Sequence, residues 1–144
     1  MRAEIEAEAG RLASPERVRI LGPVSDDERE RLLTGCDISV MPNINVTGDI
    51  EGFGLVAVES ACRGAVVVAS AMQGLLEALV DGVTGILVEP EQPEGFASVI
   101  SRHASDRADL ARLSGEFQRN AVERNSVERM KRELARALGV SVSP

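Results

Sequence analysis

The run Ala65-Val66-Val67-Val68-Ala69 constrains the fold more than any other stretch of the sequence. Five consecutive apolar residues, three of them β-branched and bounded by Gly64 and Ser70, are too few for a buried helix and lack the alternation of a half-exposed strand. Such a run reads as a strand covered on both faces, which is the signature of a parallel sheet with helices on either side. Similar short runs occur at 18–21, 38–41 and 85–88, and helical patterns separate them. That alternation predicts an α/β, doubly wound, Rossmann-like parallel sheet flanked by helices.

Helices are predicted over 2–12, 25–33, from Gly54 or just before it to Gly64, over 75–80, and then almost continuously over 93–103, 107–117 and 126–138. Ser25-Asp26-Asp27-Glu28 is a capping-box pattern that starts the second of these. In the last, Val127, Met130, Leu134 and Leu138 share one face, predicted to pack on the sheet beneath a solvated Arg-rich face. The core must be aliphatic, because the 144 residues include three Phe and no Trp or Tyr.

The loops that follow strands in a parallel sheet gather at its carboxyl edge, where ligands bind. Here they are Gly22-Pro23-Val24, the long segment 42–54, and 70–74. The second leads into Asp49-Ile50-Glu51-Gly52-Phe53-Gly54-Leu55-Val56-Ala57-Val58-Glu59, an acid beside two glycines running straight into a helix that carries a second acid. Glycines at a helix start let a ligand approach the backbone, and the free N–H groups there favour phosphate. Glu51 at the loop and Glu59 further along the helix suggest one carboxylate for a sugar-like ring and one for a hydroxyl pair.

The net charge of −7 argues against nucleic acid, which needs clustered Lys and Arg. No apolar stretch is long enough to span a bilayer, and the charged N-terminal segment does not read as a signal peptide. Cys36 and Cys62 make no disulfide framework, so a reduced, cytoplasmic setting is expected, with peripheral membrane attachment left open. Both cysteines read as small core residues, and the single His103 as a surface residue. Glu77 reads as stabilising the first turn of its short helix. No spacing suits a metal.

Residues 18–90 resemble the donor-binding domain of family-4 (group 1) glycosyltransferases of GT-B fold. The residues carrying the resemblance are 18–22, Cys36-Asp37-Ile38-Ser39-Val40-Met41-Pro42, Glu51-Gly52-Phe53-Gly54 with Glu59, Gly64, Gly74 with Glu77, and Asp81-Gly82 through Thr84-Gly85-Ile86-Leu87-Val88. The resemblance implies a retaining, metal-independent transfer from a nucleotide-sugar donor, with no cofactor. It assigns Glu51 to the donor sugar near the reacting centre, as the catalytic carboxylate, and Glu59 to the ribose hydroxyls. It further implies that Gly52, Phe53 and Gly54 present backbone amides to sugar and phosphate, that Leu55 lies just beyond, and that Gly22 and Val24 flank the nucleobase.

On this reading residues 1–144 are part of a C-terminal nucleotide-sugar-binding domain, with a core at 18–90 and a helical tail at 93–138. The cationic pair that steadies the departing pyrophosphate, and the acceptor-binding domain, would lie upstream. Gln73-Gly74 replaces the usual glycine pair, Asn43 stands where serine is common, and 44–50 lengthens the acidic loop. Half of a GT-B fold lacking its first strands would leave a gap between the strand at 18–21 and that at 38–41. The first strand is therefore expected to re-pair locally, to be displaced, or to be completed by another chain, and the isolated chain to have little activity. Two rivals stand beside this reading: a non-catalytic α/β binding or assembly module derived from such a domain, and, more weakly, a sugar-nucleotide epimerase of the same architecture.

Overall fold

The structure, a computed structural model, describes residues 2–45 and 54–140. The chain divides into two compact units, 1–30 and 31–144. Within the first, α1 (Arg2–Ala9) is followed by a single 3₁₀ turn at Pro15–Arg17, and α2 (Asp26–Gly35) begins near its end. Neither α1 nor α2 buries a residue. They are held by local devices instead. Arg2 pairs with Glu6 at 2.8 Å one turn on, Arg11 pairs with Glu8, and Ser25 Oγ accepts from the Glu28 amide at 3.3 Å as the capping pattern predicts. The strand predicted at 18–21 is not formed. Those residues are irregular, and Val18 and Leu21 are exposed, because no neighbouring strand supplies a ladder for them.

The second unit contains a parallel sheet of three strands in the order β1 (Ile38–Met41), β2 (Val66–Ser70), β3 (Ile86–Val88). Ile38 pairs with Val66 and Met41 with Ala69 on one side, and Val68 pairs with Ile86 on the other. All five residues of β2 are buried, so the apolar run 65–69 is the centre of the sheet.

Side chains alternate across that strand. Val67 and Ala69 face a cluster built by Ala57, Ala61, Leu75, Ala78, Leu79 and Ala121. Val66 joins Leu110 and Phe117, and Val68 joins Val88 and Phe96, in clusters of their own. Helices therefore cover both faces, as the unbroken apolar run requires. They are α3 (Leu55–Cys62), α4 (Gln73–Ala78), α5 (Pro93–Ser105) and α6 (Arg107–Arg124), with α7 (Val127–Leu138) last. Among the described residues the sheet ends at β1 on one side, where Val40 is exposed.

Two tail predictions need correction. The stripe Val127, Met130, Leu134 and Leu138 of α7 is more than half exposed, and within that helix only Ala135 is buried. A helix whose buried position is one small residue, Ala135, leaves its larger apolar side chains turned outward. His103 is not a surface residue: its side chain is 13% exposed, and Nδ1 lies 2.9 Å from Asp109 Oδ2 across the α5–α6 corner. The corner brings the last turn of α5 against the first turn of α6, which periodicity within either helix does not reveal.

Candidate functional site at the head of α3

β1 delivers the chain to Pro42 and Asn43, and α3 receives it again at Gly54. Glu51, Gly52 and Phe53 fall between, outside the described residues. Gly54 is the N-cap of α3, with φ +69° and ψ 41°, a left-handed conformation that glycine adopts without penalty. A Cβ there would meet Leu75 Cδ2 at 2.9 Å, so the position is closed to side chains on two counts. Gly54 itself brings no capping side chain to the first turn of α3. A helix start leaves its first amides without intrahelical partners, at the positive end of the helix dipole, which suits an anion.

Leu55 and Glu59 stand one turn apart on the same face of α3. Leu55 is 65% exposed and Glu59 is half-buried, whereas Ala57, Ser60 and Ala61 turn inward. The inward face is fixed to the sheet by polar bonds as well as packing. Ser60 Oγ donates to the Val56 carbonyl at 2.7 Å and accepts from Ser39 Oγ of β1 at 3.2 Å. At the far end, the α6 side chains Ser114 and Gln118 donate to the carbonyls of Gly64 and Cys62 at 2.6 and 3.1 Å. They satisfy groups that a helix terminus leaves unpaired. The helix that would present Glu59 is thus tied to β1 through Ser60 and to α6 through its C-terminal carbonyls.

The loop after β2 leads into α4, whose buried Leu75 and Ala78 pack beneath the Gly54 turn. α4 starts two residues earlier than predicted, so Glu77 lies near its C-terminal end and is exposed; it does not serve the first turn. The Asp81–Gly85 motif is a fold device. Asp81 Oδ1 accepts from the Leu87 amide at 2.9 Å, and buried Thr84 Oγ1 accepts from the Val80 amide at 2.8 Å. Gly22 and Val24 belong to the first unit, where Gly22 has φ +69° and is exposed and Val24 is half-buried.

Cys62 packs partly against the cluster under α3, and Cys36 is partly buried. Burial pushes both thiols above their ordinary range, which makes them poor nucleophiles. Among the described residues no three His, Cys, Asp or Glu side chains cluster to hold a metal, and no helix is long and apolar enough to cross a membrane.

Two features escaped the sequence reading. One is an apolar groove of about 410 Å³ between the end of β1 and α5, lined by Val40, Pro42, Ile44, Phe96 and Ile100. Beside it, Glu91 is the described non-glycine residue with positive φ, at 59°. The other is Ser70, wholly buried at the end of β2, whose Oγ donates to the Asn43 carbonyl at 2.7 Å. A serine closing an apolar run reads as a simple strand end, and nothing in its sequence context reveals a partner 27 residues earlier.

Residues 1–138 match the family model for group 1 glycosyl transferases. The chain is 39% identical over 107 residues to the D-inositol 3-phosphate glycosyltransferase of Mycolicibacterium gilvum, covering 74% of this chain and 23% of that protein. It is 35% identical over 136 residues to the enzyme of the same name from Salinispora tropica, covering 94% and 27%. The chain thus spans about a quarter of the length of these relatives. The crystal structure of Anabaena Alr3699/HepE in complex with UDP superposes with a TM-score of 0.78 at 28% identity, covering 96% of this chain and 36% of that one. Sucrose-phosphate synthase from Thermosynechococcus elongatus superposes with a TM-score of 0.75 at 26% identity, covering 95% and 34%. These matches and the helix-flanked parallel sheet agree: the chain belongs to the group 1 glycosyltransferase family, with the α/β fold of a GT-B C-terminal domain.

Proposed function

We propose that this chain is the donor-binding part of a retaining, nucleotide-sugar-dependent hexosyltransferase. The observation that carries the reading is the head of α3, where the helix starts at a left-handed Gly54 that brings no capping side chain and Leu55 stands one turn from half-buried Glu59. Support comes from HepE, a structural relative that holds UDP. In this reading the amides at Gly54 and Leu55, with those of Gly52 and Phe53, receive the diphosphate. Glu59 accepts hydrogen bonds from the ribose hydroxyls, and Glu51 stands by the donor sugar as the catalytic carboxylate. Gly22 and Val24 border the base.

Catalysis in such a site is positioning plus electrostatic stabilisation of an oxocarbenium-like state, without a metal or cofactor. The cations that steady the leaving diphosphate and the acceptor site come from a further domain, or from another chain that completes the sheet beside β1. The setting is the cytoplasm. Alone, the 144 residues transfer little or no sugar.

Calorimetric titration with UDP, GDP, UDP-glucose and GDP-mannose tests the donor reading. Saturable binding with a preference between the two bases supports it, and equal indifference to all four overturns it. The exposed stripe of α7 favours a second reading, a binding or assembly module without chemistry, which predicts that indifference.

A further inference from the structure

The geometry points to Ser39 as a positioning residue for the nucleotide, acting through Ser60 on the turn of α3 that carries Glu59. This inference rests on the donor reading above and adds to it a residue that touches no ligand. Ser39 is the polar residue within β1, and alternation along the strand turns it, with Met41, toward α3. Its Oγ donates to Ser60 Oγ at 3.2 Å, and Ser60 Oγ donates in turn to the Val56 carbonyl at 2.7 Å. Ser60 is wholly buried, where a hydroxyl without partners is costly. A serine bonded only to the carbonyl four residues back is satisfied within its own helix. The bond from Ser39 crosses 21 residues of sequence and fixes where this turn of α3 stands on the sheet.

Glu59 and Ser60 share a peptide unit. Ser60 faces inward and Glu59 shares the outer face with Leu55, so holding Ser60 against β1 also holds the point from which the carboxylate projects. The head of the helix has a separate support, the Gly54 turn against Leu75 and Ala78 of α4. Amides at Gly54 and Leu55 keep that support when Ser39 is lost, whereas the turn with Glu59 gives up its tie to the sheet. Ser39→Ala strands no buried donor, because Ser60 still has the Val56 carbonyl. A loosened turn must be ordered again when nucleotide binds, and that cost falls on the ribose contact.

The test measures UDP and 2′,3′-dideoxy-UDP affinity by calorimetry on the full chain, unaltered and as Ser39→Ala, Ser39→Thr and Asn120→Ala. The dideoxy analogue lacks both hydroxyls that Glu59 would receive. Ser39→Ala should lower UDP affinity about threefold to tenfold, the range that one hydrogen bond carries, and leave affinity for the dideoxy analogue unchanged. Ser39→Thr keeps the hydroxyl and should keep the affinity of the unaltered chain. Asn120, whose Nδ2 donates to the Val83 carbonyl at 2.9 Å, ties α6 to the turn before β3 and controls for loss of a single side-chain bond. Asn120→Ala should change neither affinity.

Equal losses of UDP and dideoxy-UDP affinity in Ser39→Ala overturn the inference, because a merely structural role moves both alike. If the unaltered chain binds no UDP, the donor reading fails and takes this inference with it. If it binds UDP and Ser39→Ala binds UDP equally well, this inference alone fails.

Discussion

Gly54 and Leu75 are so close that a single methyl group on the glycine would sit 2.9 Å from the leucine Cδ2. The same glycine has φ +69°, so a side chain is opposed by both backbone and neighbour. Gly54→Ala should lower stability by about 1–3 kcal/mol, the range for a strained left-handed residue. It should also weaken UDP binding more than that loss explains. Urea denaturation and calorimetry on the same variant separate the two effects.

Glu59 is the most direct test of the nucleotide assignment. Glu59→Gln keeps size and shape while removing the charge that would receive two ribose hydroxyls. UDP affinity should fall roughly 10- to 100-fold, the range for hydrogen bonds to a charged group. Titration with 2′-deoxy-UDP on both proteins sharpens the point: with one of the two hydroxyls gone, the substitution should cost the deoxy analogue less affinity than it costs UDP.

The exposure of α7 makes an unusual demand. Leu134→Asp places a charge on what the sequence pattern presents as the inner face of a helix. Since Leu134 is 57% exposed, the variant should keep its stability within about 0.5 kcal/mol, as surface changes do. Phe117, 2% exposed, supplies the contrast: Phe117→Ala should cost about 3–5 kcal/mol. Parallel urea melts of the two variants check both.

The α5–α6 corner should respond to acid. Arg112 Nη2 donates to Asp109 Oδ1 at 2.6 Å, and His103 Nδ1 lies 2.9 Å from the other oxygen. Arg112 first, and then His103, hold the Asp109 carboxyl below its ordinary value of 3.8. A carboxylate depressed in the folded state adds stability above its unfolded pKa and loses it as pH falls through the lower folded value. Asp109→Asn should therefore flatten the decline in stability below about pH 4. Urea midpoints measured from about pH 5 down to pH 2 give the comparison.

Much of this was legible in the sequence because local chemistry decides it. The run 65–69 announced a strand covered on both faces, Ser25 and Glu28 announced a helix start, and Gly54 announced the head of α3. What failed depended on partners far along the chain. The strand at 18–21 had the right residues but no ladder to join. The stripe of α7 had the right period, yet periodicity tells which residues share a face without telling what lies opposite it. His103 looked exposed amid polar neighbours, and only the α5–α6 corner encloses it. In the candidate site, glycine and acid types carried a chemical signal that a serine at a strand end does not.

The alternation of β2 has a consequence for how the second unit comes apart. Val67 and Ala69 belong to one apolar cluster, while Val66 and Val68 belong to those on the opposite side. Four consecutive residues are thus the shared wall of both halves, and neither half can lose its contacts while that wall stays intact. Heat or denaturant should melt 31–140 in one step, with α3 and the proposed donor site lost at the same midpoint as Phe117 on the far side.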